Sequence, residues 1–354
     1  VYYFEKEASK RWKKCDSLGF ANRYRLKDGE NPFRMGTVRQ AKATKRKKTS
    51  QVSYQPRFKE AGKYAVYVSY QSLPKSVSDA KYIVYHKGEA TEFSVNQRMG
   101  GGTWVYLGTF DFDKGCNEFN RVVCTNKASR HGVVTTDAVR FGGGMGNIER
   151  GGYTSGLPRC LEGARYYAQW AGAPYKVYGG RKGENDYADD INTRSLMTNW
   201  LGGGSVYMPA KNGKHVPIEL SLALHSDAGY NKDGKSTVGA LAICTTDYND
   251  GILNSGISRF TSKDFARALR DNLVTDLTAQ FGEFGKRYLW DRNYSETRLP
   301  EVPSAILEML SHQNFPDMRI AQDPLGKFYI ARSIYKTILR FVNSNHGTRY
   351  VVQP

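Results

Sequence analysis

The run GVVTTDAVRFGGGMG, residues 132–146, decides the fold, because the pattern of the chain changes across it. Ahead of it, β-branched and aromatic residues alternate with polar ones over short stretches. Beyond it, apolar residues recur three and four apart. The glycine-rich segment Gly142-Gly143-Gly144-Met145-Gly146 cannot hold regular structure cheaply and reads as a flexible seam between two modules.

Working back from the seam, NRVVCTN (120–126), TWVYLGTFDF (103–112), ATEFSVNQ (90–97), AKYIVYHKG (80–88) and GKYAVYVSYQS (62–72) are short strand-like runs. Gly, Lys-Gly and Asp-Lys-Gly turns separate them, which predicts an antiparallel all-β sandwich or jelly roll over residues 1–146. Val1-Tyr2-Tyr3-Phe4 adds a strand-like start. Working forward, Pro158 to Trp170, Asp264 to Phe281 and Phe328 to Val342 carry helical spacing. Tyr175 to Tyr178, Ile218 to Leu224, Val238 to Cys244 and Ser304 to Leu307 suit buried strands. Helices alternating with strands predict an α/β domain with a mixed or mostly parallel sheet over residues 147–354.

The 354 residues suffice for two cores, and a formal charge of +18 favours a polyanionic partner. Much of the excess lies in Lys42 to Lys48 (KATKRKK), read as a solvated loop. No nucleic-acid motif accompanies it, so nucleic acid is not expected as a partner. The 24 tyrosines suit flat sugar faces and polar polymers. No apolar stretch reaches the eighteen or so residues of a membrane span. The five cysteines form no CxxC pair, which points to buried free thiols, with Cys116 and Cys124 the one pair that a hairpin could join. The sequence starts at Val1 without an initiator Met or a signal sequence, and a segment ahead of it is expected to be missing.

Two residues stand where chemistry collects in such sheets, at strand ends. His225 closes the apolar run of ELSLALHSDAG, a position for metal binding or acid-base work as well as for a structural histidine. Glu308 ends another apolar run in VPSAILEMLSHQNFPD, followed at helical distance by His312 and Asn314. An acid placed this way either pairs with a base or serves as one.

LALHSDAG (222–229), VPSAILEMLSHQN (302–314) and the upstream NDYADDINTRSLMTNWLGG (185–203) together resemble the zinc-dependent N-acetylmuramoyl-L-alanine amidases. The resemblance covers about residue 147 to the C-terminus. GKYAVYVSY, FSVNQRMGGGTWVYLGTF, TTDAVRFGGGMGNIERGG, SGLPRCLEGARYYAQWAG and LEMLSHQNFPDM are similar to secreted Bacteroidetes-type proteins that join a golvesin C-terminal-like β domain to an amidase-like domain, often labelled xanthan lyase. That label implies no chemistry visible in these residues.

The resemblance implies a Zn²⁺ cofactor with His225 as one ligand, Glu308 as general base and His312 as a weaker catalytic candidate beside it. It implies peptidoglycan or another anionic polysaccharide as partner and a secreted, periplasmic or cell-surface location. The family's first two zinc ligands have no match: His131-Gly132 falls inside the β module and Glu162 lies too deep in its helix. Either the first strand and helix precede Val1, or the fold is a degenerate amidase that only binds cell-wall polymer. Asp227 and His312 are the next ligands to inspect.

Overall fold

The computed structural model describes residues 1–8, 10–144 and 146–351, so Met145 of the glycine seam lies outside the described residues. The chain forms two compact units, one of residues 1–193 and 214–216, the other of 194–213 and 217–354.

The first unit is built from β1 (Tyr2–Lys6), β2 (Lys13–Gly19), β3 (Gly36–Lys42), β4 (Gln51–Gln55), β5 (Gly62–Val68), β6 (Ala80–His86), β7 (Glu89–Val95), β8 (Val105–Phe112), β9 (Arg121–Thr125), β10 (Val133–Thr136), β11 (Val139–Phe141), β12 (Glu149–Arg150) and β13 (Tyr153–Thr154). These pair antiparallel in the orders β1-β4-β9-β6-β7, β10-β3-β2, β11-β5-β8 and β12-β13. One apolar core joins the layers: Val52, Tyr54, Tyr82, Val84 and Val122 from the five-stranded sheet meet Val66, Val68, Phe112, Val134 and Val139 from the three-stranded ones. The alternation read from the sequence is thus the inward face of a sandwich.

The expected boundary at 146/147 is not where the compact units divide. Residues 147–193 stay with the β sandwich, through α1 (Ala164–Trp170) and α2 (Tyr175–Tyr178). Trp170 and Ile148 are buried against Leu26, with Phe20, Met35 and Trp104 packed around them. Gln169 Nε2 donates to the Lys27 and Glu30 carbonyls at 2.7 and 2.9 Å. Tyr175 to Tyr178, expected as a strand, is one helical turn started by Pro174, and the Tyr175 and Tyr178 rings meet edge-on with centroids 5.4 Å apart. The helix expected from Pro158 begins only at Ala164. The five cysteines are free thiols, with Cys15, Cys124 and Cys244 buried and Cys116 and Cys160 exposed.

Burial raises the Asp137 carboxyl from 3.8 to about 6, although Phe20 N and Ser69 Oγ donate to it at 2.9 Å. A folded value above the unfolded one means that the native state holds the extra proton between these limits. Stability of the sandwich is therefore expected to be highest below about pH 4 on this account and to fall as pH rises toward 6, by about 1–3 kcal/mol. Urea titrations of the wild type and Asp137→Asn check it: the slope in that window should vanish in the variant.

The second unit holds a four-stranded sheet in the order β14-β17-β15-β16, formed by β14 (Ser221–Asp227), β15 (Ala240–Cys244), β16 (Lys286–Asp291) and β17 (Ser304–Ser311). β14 runs parallel to β17 and β15 parallel to β16, while β15 and β17 are antiparallel, so the sheet is mixed. The helices are α3 (Asp186–Gly202), in which the division between units falls, α4 (Phe260–Phe281), α5 (Ser295–Arg298), α6 (Phe315–Gln322) and α7 (Pro324–Asn345). Phe265, Leu269, Leu273 and Leu277 recur along one face of α4 and bury against Ala240, Ala242, Ala305 and Leu307. Gly239, at φ 80°, brings β15 so close to Gly285 that a Cβ would collide with its carbonyl.

Candidate active site

Strand register builds the site. His225 on β14 and Glu308 on β17 are direct partners in the parallel pair, and Leu241 of β15 lies opposite Glu308 on its other side. Side chains alternate between faces along a strand, so Ala305 and Leu307 enter the core under α4 while Ile306 and Glu308 take the other face. Ala223, Leu241, Ile243 and Ile306 form an apolar floor there. His225 and Glu308 stand at its carboxyl-terminal edge.

The imidazole of His225 lies between two carboxylates: Nε2 is 3.1 Å from Glu296 Oε2, and Nδ1 is 3.9 Å from Glu308 Oε1. Glu296 also receives Arg194 Nη1 at 3.3 Å. The two acids are driven apart. Burial raises the Glu308 carboxyl above its ordinary range, an effect that His225 opposes, Asp227 reinforces, Arg287 opposes and Glu296 reinforces. For Glu296 burial also acts upward, but the hydrogen bond and charge of His225 and the charge of Arg194 win and hold it low. His225 is raised, first by its hydrogen bond to Glu296 and against the effect of burial. One oxygen of Glu308, Oε2, is buried without a hydrogen-bond partner. Carboxyls split in this way are suited to different proton-transfer roles.

Asp227, two residues beyond His225, is tied to Arg287 Nη1 at 2.7 Å. His312 does not follow Glu308 at a helical turn, because β17 continues through Ser311 and places it beyond the strand end. Its Nδ1 lies 3.1 Å from Ser226 O and 3.2 Å from Ser226 Oγ, and its backbone N donates to Asp227 O at 2.9 Å. These contacts fix His312 on the β14 turn, away from the role of orienting Glu308. Asn314 instead stands just before α6, its side chain donating to Ser236 O at 2.9 Å and to Asp317.

Glu296, Arg194 and Arg287 were not read from the sequence. Glu296 sits on the four-residue α5, placed by Ser195 Oγ donating to Ser295 O at 3.0 Å and Asn199 Nδ2 to Leu299 O at 2.8 Å. No apolar periodicity marks it.

A catalytic zinc takes three protein ligands and leaves a fourth position for water. Among the described residues, no group of three or more His, Cys, Asp or Glu side chains is placed to hold a metal ion. His225 Nε2 is engaged by Glu296, and Asp227 and His312 are turned to other partners. The residues described therefore do not compose a zinc centre.

In the first unit, the basic run lines a cleft of about 530 Å3 in which Lys42, Lys45 and Arg46 face Lys75 and His131. His131, weighed as a ligand, belongs to this cleft.

Residues 28–143 match the family model of the Golvesin C-terminal domain. A xanthan lyase of Bacillus sp. (strain GL1) is 34% identical over 97 residues, which are 27% of this chain and 10% of that protein. The chain thus spans about a tenth of the curated relative it matches. Among solved structures, it is similar to a Paenibacillus xanthan lyase (20% identity, 39% of this chain, 12% of that one, TM-score 0.30). It is also similar to the N-acetylmuramoyl-L-alanine amidase of Clostridium difficile 630 (14%, 48%, 79%, 0.31) and to the amidase Ami1 of Mycobacterium smegmatis (20%, 49%, 79%, 0.31). The chain contains a Golvesin C-terminal domain match in its antiparallel β unit, followed by an α/β unit with a mixed sheet.

Proposed function

We propose that the α/β unit is a hydrolase of the amide between N-acetylmuramic acid and L-alanine in peptidoglycan, and that the β unit holds the polymer. The observation that carries this is the Glu308 carboxyl: desolvated, raised, with one oxygen unpartnered, beside the His225 imidazole of the neighbouring strand. A base of this kind can take a proton from an attacking water and return it to the leaving nitrogen. Glu296 and Arg194 hold the His225 ring in place against it. The described residues do not compose a zinc centre, and no step here passes through one. The basic cleft and the +18 charge support an anionic wall polymer as partner. A secreted, periplasmic or cell-surface location follows from that substrate; among the described residues no helix is long and apolar enough to cross a membrane.

A second reading, a non-catalytic protein that binds cell-wall or other polysaccharide, is favoured by one observation. The His225 nitrogen that would face a metal is already paired with Glu296. Purified sacculi separate the two readings. Protein supplied with zinc should co-sediment with sacculi and release soluble peptide; co-sedimentation without release would favour the binding protein.

A further inference from the structure

The β unit contains a cavity of about 700 Å3 that the hydrolytic site does not use, lined by Phe20, Tyr24, Trp104, Arg140, Asn147 and Trp170 among others. Its size is that of a small-ligand pocket. Two features of its wall call for a ligand.

The first is an unneutralised cation. Arg140 is nine-tenths buried, and its Nε and Nη1 have no hydrogen-bond partner. No carboxylate of the described residues forms an ion pair with it; the guanidinium is instead packed over aromatic rings, 3.9 Å from the centroid of Tyr67 and 5.4 Å from that of Trp104. A buried charge without an anion is costly, and a guanidinium is shaped to take a planar carboxylate on two nitrogens. The second is an aromatic wall. Phe20 meets Trp104 at 4.7 Å and Trp170 at 5.0 Å, edge to face, and the Trp104 indole N–H has no acceptor. Such a wall offers an apolar face to a sugar ring and, in the buried Trp104 indole N–H, an unused donor.

We propose that this cavity binds a carboxylate-bearing pyranose unit of an acidic glycan, with the carboxylate on Arg140 and the ring against Trp104. The proposal rests on reading the β unit as the polymer-binding element, and it does not depend on hydrolysis by the other unit. Two sources offer this chemistry, a hexuronic acid and the lactyl carboxylate of N-acetylmuramic acid.

Titration calorimetry on the Glu308→Gln protein, which removes turnover from the measurement, tests it with three probes: a glucuronic-acid oligosaccharide, N-acetylmuramic acid and a neutral gluco-oligosaccharide. One of the acidic probes should bind at least about tenfold more tightly than the neutral one, since a charge-assisted bidentate pair is lost without the carboxylate. Which acidic probe binds identifies the source. Arg140→Met should erase the preference, and reducing the probe's carboxyl to an alcohol should do the same with the protein unchanged. Tyr24 is 89% exposed, so Tyr24→Ala leaves the core intact and should weaken binding of the acidic probe. Equal affinity for acidic, reduced and neutral probes, or no binding of any, would overturn the proposal. Binding by a protein that releases nothing from sacculi would retain this site and remove the hydrolase.

Discussion

Glu308→Gln is expected to lower hydrolysis of muramyl peptides by about 10² or more, the scale of a lost general base. The substitution keeps the volume of the side chain and its place opposite His225 and Leu241 in the strand register. It removes a carboxyl that burial already disfavours as an anion, so the fold should be retained and the melting temperature should stay level or rise. His225→Ala acts elsewhere, because it leaves Glu296 with Arg194 alone and strips the imidazole from Glu308. It should lower activity and the thermal stability of the α/β unit together, where Glu308→Gln lowers activity alone. Equal melting temperatures of the two variants would contradict the separate roles.

The largest expected change in stability lies at Arg165. This side chain is fully buried, with Nε donating to Tyr178 O at 2.8 Å and ion pairs to Asp28 Oδ2 at 3.4 Å, Asp189 Oδ2 at 3.6 Å and Asp186. The Asp189 side chain is itself 1% exposed, so removing the arginine strands a buried carboxylate. Breaking one partner of such a pair costs about 3–5 kcal/mol. Arg165→Met should therefore move the unfolding transition of the β unit by that amount and leave the transition of the α/β unit, followed by Trp290, in place. Two transitions that shift together would contradict the assignment of residues 147–193 to the β unit.

The strands that supply the sandwich core were legible because one face is apolar and the other wet, as in AKYIVYHKG, which became β6 with Tyr82 and Val84 at 0% exposure. His225 and Glu308 were legible for a related reason: each is a polar residue in an apolar run, and a shared register then makes them neighbours. β16 was missed because KRYLWD is an edge strand, paired with β15 alone and half polar. The boundary after residue 146 was misplaced because a glycine cluster marks local flexibility of the chain. It says nothing of where Trp170, Ile148 and Arg165 later pack. Glu296 was beyond reach, since what puts a four-residue helix against His225 is tertiary contact through Ser195, Asn199 and Thr297, with Thr297 Oγ1 buried 2.7 Å from Thr245 Oγ1.

The most direct measurement is product analysis on N-acetylmuramoyl-L-alanyl-D-isoglutamine incubated with the zinc-supplied protein. Mass spectrometry should find free N-acetylmuramic acid and the dipeptide with a new L-alanine amino terminus, formed by the wild type and at least about 10² more slowly by Glu308→Gln. Intact substrate after incubation with the wild type, or equal product from the two proteins, would contradict Glu308 as the base of an amide hydrolase.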